Sequence, residues 1–338
     1  MAPTDLAKYI KNYLVDYLGA SRNLSLNTIA SRRDTFKLLF EYFTHEKGLP
    51  PDKVNIPDLS AESISDFLRW LEYKRGSSES TRNLRLAGIK AFFRYIQSVT
   101  PDYIFQSQQI FGIPLKKKFI ESIEYMTLDG IEAILSVIST NSVEQRRDSV
   151  LMSILYDCAP RAQEICDLCV GDLRLQKPET ARFVGKGNRA RIVPLMTPTS
   201  ALLKQYVVEN HLSAVEMRVR PLFTNRSGHK LTRAGIAYIV DKYANYARIK
   251  YPSLIPKCVS PHHFRHSRAM HMLQAGVPLI YIRDFLGHVE ISTTEIYAKC
   301  DSKQKREAFE AVQPIFTKNC LPVWKQDESL LSWLNSLC

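Results

Sequence analysis

The sequence predicts a mainly α protein with a small antiparallel β-sheet, built as a helical domain followed by an α/β domain. Three observations carry that prediction. Apolar residues recur at helical spacing over most of the chain, and near residue 170 the repeat shortens to that of strands. A proline-led basic segment, Pro114-Leu115-Lys116-Lys117-Lys118, interrupts the periodicity between two long helical runs. At ~100–200 residues per domain, 338 residues, 45% of them hydrophobic, are enough for two cores.

The elements follow in order. Residues 6–18 and 25–45 read as amphipathic helices, the second started by Ser25, with Arg32, Arg33 and Lys37 along its polar side. Residues 60–74 follow a cap-like Ser60-Ala61-Glu62 and bury Phe67, Leu68, Trp70 and Leu71. Gly76-Ser77-Ser78 turns into a fourth helix, 80–99, with Arg82, Arg85, Lys90 and Arg94 expected on its outside. Residues 1–105 therefore form an all-helical domain and 106–126 a basic linker lying along a duplex, with Lys116, Lys117 and Lys118 as its cations. Thr127-Leu128-Asp129 starts the second domain, 127–315, and 148–157 is a buried helix. Pro160 is suited to open the next helix at Arg161, and Glu164, three residues on, can hold that guanidinium. Residues 172–175, 180–184 and 189–193 read as antiparallel strands, with Gly185-Lys186-Gly187-Asn188 as the last hairpin turn. Helices follow at 197–208 and 232–248, and 316–338 is a tail with Leu330, Leu331, Trp333 and Leu334 at helical spacing.

Bulk properties narrow the partners. A net charge of +12 draws the chain to polyanions, nucleic acid above all. Arginines repeated on two helices suit a DNA backbone, because each phosphate contact releases counterions without demanding a base sequence. Residues 1–20 lack the uninterrupted apolar core of a signal peptide, and no stretch approaches a membrane span. Seven cysteines, an odd number, argue for reduced thiols and a cytoplasmic setting, the bacterial cytosol or nucleoid. Cys166 and Cys169 form a C-x-x-C without a second pair, and Arg265 and Arg268 would repel a cation from His262, His263, His266 and His271, so no metal site is expected.

The chemistry concentrates between His262 and Tyr297. His262-His263-Phe264-Arg265-His266-Ser267-Arg268 sits on a helix closed by Gly276 and Pro278; a second helix, 279–286, stops at Gly287 and leaves His288 in the turn; a third, 293–299, carries Tyr297. His262 and Arg265, three apart, share a helix face and can converge on one small anion. The guanidinium matches phosphate oxygens, and the imidazole can move a proton near neutral pH.

Arg161 with Glu164, Lys186 on a hairpin, His262-x-x-Arg265, His288 and Tyr297 occur in an order and spacing that resembles the tyrosine recombinase (phage integrase) family, mobile-element integrases and transposases in particular. The likeness extends over nearly the whole chain and makes 1–105 a core-binding domain and 127–315 a catalytic domain, which together would clamp a duplex like a C. It implies that Tyr297 attacks the scissile phosphate to form a 3′-phosphotyrosyl link and a free 5′-hydroxyl, followed by strand exchange through a Holliday junction. Arg161 and Arg265 would neutralise the developing charge. Lys186 would protonate the leaving oxygen, His262 would accept the Tyr297 proton, and His288 would donate to a non-bridging oxygen. A phenol of pKa ~10 needs such help to act as a nucleophile. The implied partner is double-stranded DNA with inverted-repeat core sites, bound by a homodimer per site and a homotetramer in the synaptic complex, with the 316–338 tail docking on a neighbouring protomer. Integration or excision of a mobile element is the implied role; the same chemistry also serves chromosome or plasmid dimer resolution and type IB topoisomerases. Neither ATP nor a divalent metal is implied. The chain departs from the pattern at Cys158-Ala159-Pro160, where relatives often carry Thr-Gly-Leu, and at Ser267, usually threonine.

Overall fold

The computed structural model describes residues 4–117, 124–185, 187–288, 290 and 292–300. The chain divides between Glu121 and Ser122 into two compact units.

In the first unit, Thr4 caps helix α1 (Asp5–Asn12) by accepting from the Ala7 N–H. The chain then continues as a π-helix over Tyr13–Ser21, where one α-helix to residue 18 was expected. Helices α2 (Leu26–Lys47), α3 (Ala61–Tyr73) and α4 (Glu79–Val99) each start from a serine, Ser25, Ser60 and Ser78, whose hydroxyl accepts the N–H three residues on. Aromatic rings meet edge to face at the centre: Tyr13 against Phe92 at 5.3 Å, Phe36 against Phe92 at 5.0 Å.

Two expectations need correction here. The stretch from 106 onward, expected to be linker, is helical: α5 spans Ile104–Gly112 and buries Ser107 and Ile110 in the same core. Gln106 Nε2 fastens it by donating to the carbonyls of Ile56 and Leu59. Its apolar pattern is disguised, because Ile104 and Phe105 face solvent while a serine is buried. The second correction concerns the cations of α4. Arg82 is buried and donates to the Pro114 carbonyl at 2.9 Å; Arg85 donates to the Ser31 carbonyl at 3.0 Å; Lys90 donates to the carbonyls of Phe111 and Ile113 at 2.8 and 2.6 Å. Arg82 and Lys90 thereby satisfy carbonyls at the end of α5 and just after it, and Arg85 reaches a carbonyl within α2, so these side chains do not form an outer face. Asn83 exchanges hydrogen bonds with the Lys116 backbone, so the start of the basic segment is tied to α4.

The second unit opens with α6 (Leu128–Ser136), capped by Thr127 as expected. Helix α7 (Val143–Asp157) begins five residues before the expected 148, at a Ser142–Gln145 capping box. After the short α8 (Ala162–Asp167) come β1 (Leu173–Arg174), β2 (Thr180–Val184) and β3 (Ala190–Pro194), an antiparallel sheet in the order β1-β2-β3. Val184 faces Ala190 across the hairpin, and the Gly185 N–H closes it on the Arg189 carbonyl at 2.8 Å. Helices α9 (Thr197–Glu209), α10 (Arg233–Lys250) and α11 (Pro261–Gln274) complete the core with α6 and α7. Helices α12 (Leu279–Leu286) and α13 (Ser292–Cys300) pack in a second cluster through Ala159, Ala269, Met270, Leu273, Ile282, Leu286 and Tyr297. That cluster seats the nucleophile candidate against α11. Among the described residues no helix is long and apolar enough to cross a membrane. Lys118, Lys186 and the expected tail, 316–338, lie outside the described residues.

Candidate active site

Helix α11 starts at Pro261, whose missing N–H costs nothing at that position, and buries Phe264, Ala269, Met270 and Leu273. Arg265 is buried with them, 3% exposed, which is tolerable only because both ends of its fork are bonded. Nη1 donates to the Ala159 carbonyl and Nη2 to the Leu286 carbonyl, each at 2.6 Å. Arg265 thus clips the turn after α7 to the end of α12. Burial, then Arg161 and Arg191, push its pKa down to about 9, so it remains cationic at neutral pH. Ala159 presents its carbonyl from a left-handed conformation, φ +47°, a region that costs a residue with a Cβ roughly 1–2 kcal/mol. This is the departure noted in the sequence, alanine where relatives often carry glycine.

Arg161 caps α8 and is oriented by Glu164 on two sides. Its backbone N–H donates to Oε2 and its Nη1 to Oε1, both at 2.8 Å, while Nη2 reaches the Gly287 carbonyl at 3.2 Å. A third cation, Arg191 of β3, joins them by donating to Glu164 Oε2 at 2.8 Å from above the Phe183 ring. Burial alone would raise the Glu164 carboxyl, but hydrogen bonds from Arg191 and Arg161 hold it below its ordinary range. Gly287 is needed on two counts: its φ is +65°, and a Cβ there would lie 3.0 Å from Arg191 Cδ. Arg161, Arg189, Arg191, Gly287 and His288 line a cleft of about 460 Å³.

His288 follows Gly287 and is held by a 2.9 Å hydrogen bond between Nδ1 and the buried Thr294 hydroxyl. Its ring lies parallel to that of Tyr297, centroids 6.5 Å apart. Burial, then Arg265, Arg161 and Arg191, push its pKa down to about 4, so the free protein carries it neutral. Tyr297 is 1% exposed. Burial raises its pKa, while Arg265 and Arg161 pull the other way.

The Tyr297 hydroxyl hydrogen-bonds His266 Nδ1 at 2.9 Å. His262, the expected acceptor of the Tyr297 proton, is exposed and stacks on His266 with centroids 6.2 Å apart, so it reaches the phenol only by way of His266. The structure therefore gathers Arg161, Glu164, Arg265, His288 and Tyr297 in one place, with His262 beside them through His266 and Lys186 outside the described residues. Two site residues were missed in the sequence, Arg191 and His266. Arg191 shares a strand face with buried Val193 and stands opposite buried Phe183, an inward register for a charge. His266 lies one turn from His262, on the same helix face.

A helical unit is followed by an α/β unit that holds clustered arginines, three histidines and a buried tyrosine, and comparison with known proteins identifies the family. Residues 124–304 match the model of the phage integrase family, and residues 10–98 match the phage integrase N-terminal SAM-like domain. The "Putative integrase/recombinase y4rC" of Sinorhizobium fredii (strain NBRC 101917 / NGR234) is 31% identical over 332 residues, covering 98% of each chain. Tyrosine recombinase XerD of Listeria monocytogenes serotype 4b (strain F2365) is 28% identical over 308 residues, covering 88% of this chain and 96% of its own. Among solved structures, XerH site-specific recombinase bound to difH substrate in a pre-cleavage complex superposes with a TM-score of 0.64 at 25% identity, over 88% of this chain and 82% of that one. The Tn1549 transposon integrase in complex with circular intermediate DNA shares the fold, TM-score 0.67 at 19% identity, over 92% of this chain and 100% of that one. The chain belongs to the phage integrase family, the tyrosine recombinases, and is a DNA strand-cleaving and rejoining enzyme.

Proposed function

We propose that the protein is a site-specific recombinase in which Tyr297 attacks the scissile phosphate, forming a 3′-phosphotyrosyl intermediate that is resolved by strand exchange through a Holliday junction. The observation that carries this reading is the placement of the Tyr297 phenol beside His288, with Arg161 and Arg265 fixed around the same turn. Arg161 and Arg265 are held before substrate arrives, so their donors meet the developing phosphorane charge without reorganising. His288 donates to a non-bridging oxygen and Lys186 protonates the leaving 5′-oxygen. His262, exposed one turn from Arg265, would serve as a further donor to the phosphate. The partner is double-stranded DNA with inverted-repeat core sites, engaged by a dimer per site and a tetramer in the synaptic complex. Contacts to the duplex come from Arg32, Arg33, Lys37, Lys116, Lys117 and Lys118, while Arg82, Arg85 and Lys90 act from within.

The biological role in this reading is integration or excision of a mobile element in a bacterial cytosol, a role compatible with likeness to a protein named "Putative integrase/recombinase y4rC". Chromosome or plasmid dimer resolution by the same chemistry is the second reading. A nicked suicide substrate tests the chemistry: the wild type is expected to form a covalent protein–DNA band and Tyr297→Phe none. A band with Tyr297→Phe overturns the assignment. A two-plasmid joining assay against a plasmid-dimer resolution assay separates the two roles.

A further inference from the structure

The nucleophile candidate is in direct contact with one imidazole, and it is not the histidine of the His-x-x-Arg pair. We propose that His266 is the catalytic base that takes the Tyr297 phenolic proton during cleavage and returns it during rejoining; this rests on Tyr297 being the nucleophile.

The geometry is that of a proton transfer already set up. Nδ1 lies 2.9 Å from the phenol oxygen, with ring centroids 5.7 Å apart, inside the 2.6–3.2 Å reach such a base needs. Both partners are anchored: Phe264, Arg265 and Ser267 are buried on α11, Thr294 and Tyr297 on α13. Ser267 also ties α11 down, donating to the His263 carbonyl and accepting from the Met126 N–H. The groups around His266 keep it neutral. Burial, then His262, His263 and Arg265 of its own helix, push its pKa down to about 4, and Tyr297 and His288 complete the surroundings. A neutral ring with its proton on Nε2 leaves the Nδ1 lone pair for the phenol, the better proton donor of the two.

In the step itself the Tyr297 O–H bond breaks as its proton passes to His266 Nδ1. The Oη–P bond forms, the P–O5′ bond breaks, and the leaving oxygen takes a proton from Lys186 to become a 5′-hydroxyl. The anionic phosphodiester offsets the nearby guanidiniums and raises the proton affinity of the imidazole at the moment it is used. Rejoining runs the same transfers backwards.

The test compares cleavage of two nicked suicide substrates, one with oxygen and one with sulfur at the 5′-bridging position. Sulfur leaves without protonation, so it rescues loss of the acid but not loss of the base. His266→Gln keeps a hydrogen-bonding side chain that cannot take a proton, and is expected to slow cleavage by about 10²–10⁴-fold on both substrates. Lys186→Ala is expected to be rescued by sulfur, and His266→Ala to recover in part with added imidazole. Three results would overturn the proposal: a wild-type rate for His266→Gln, rescue of that variant by sulfur, or faster cleavage by His266→Ala, which would make the contact a restraint on the tyrosine. If Tyr297→Phe still becomes covalently attached, it is the nucleophile assignment that fails, whatever the His266 variants do.

Discussion

Glu164 holds the site together at the scale of single residues. Its two oxygens bind Arg161 and Arg191, and its side chain is 2% exposed, so removing it strands two cations, one of them almost fully enclosed. Breaking a buried pair from one side costs roughly 3–5 kcal/mol, and Glu164→Ala is expected to lose that much in urea unfolding. The carboxyl's pKa is depressed in the folded state, so its contribution is complete above its ordinary value of 4.5 and is lost as pH falls through the folded value. His266 and His288 act over a higher window. Both are pushed from 6.5 to about 4, so the unfolded chain binds their protons first and stability falls as pH drops from about 6.5 toward 4. Unfolding midpoints measured across that range are expected to show the slope, and a His266→Gln/His288→Gln double variant to flatten it. That Arg161, Arg265 and Tyr297 would lie together was expected from the family resemblance of their order and spacing, and the structure brings them to one place. Arg191 and His266 were not legible in the sequence, because a lone arginine in a strand and a third histidine in a helix acquire meaning only through what lies opposite them.

At the scale of elements, caps and turns were the readable signals. Ser25, Ser60, Thr127 and Thr232 start their helices where expected, and Gly287 ends α12 in the left-handed conformation that glycine permits. The three strands fall within a residue or two of their expected bounds, since alternation and the glycine-flanked turn specify them locally. Helix α5 was hidden because its partners come from distant sequence: Ile56, Leu59 and Lys90 satisfy groups that its own pattern does not advertise. Lys90 is the clearest case of a cation with an internal task, and burial lowers its pKa accordingly. Lys90→Met leaves the Phe111 and Ile113 carbonyls unmet and is expected to cost about 1–3 kcal/mol of stability, read from chemical unfolding of the full chain.

For the whole molecule, the +12 charge is not one undivided surface. Part of it is spent inside, on Glu164 and on carbonyls of the first unit, and only the remainder is free to meet a polyanion. Salt titration of duplex binding is expected to separate the two populations. Lys37→Ala and Lys117→Ala, both at exposed positions, should each lower the slope of log affinity against log salt by about 0.9, the value for one phosphate contact. Lys90→Met should leave the slope where it was, and a reduced slope for it would show that the internal assignment is wrong.

The enclosure of Tyr297 bears on how such an enzyme behaves among a great excess of irrelevant DNA. With 1% of the residue open to solvent, a strand that merely brushes past meets no reactive oxygen. With Tyr297 as the proposed nucleophile, a backbone would have to seat deeply enough to uncover it before phosphorus and phenol came within bonding range, so recognition would precede breakage and chance encounters would leave the duplex whole.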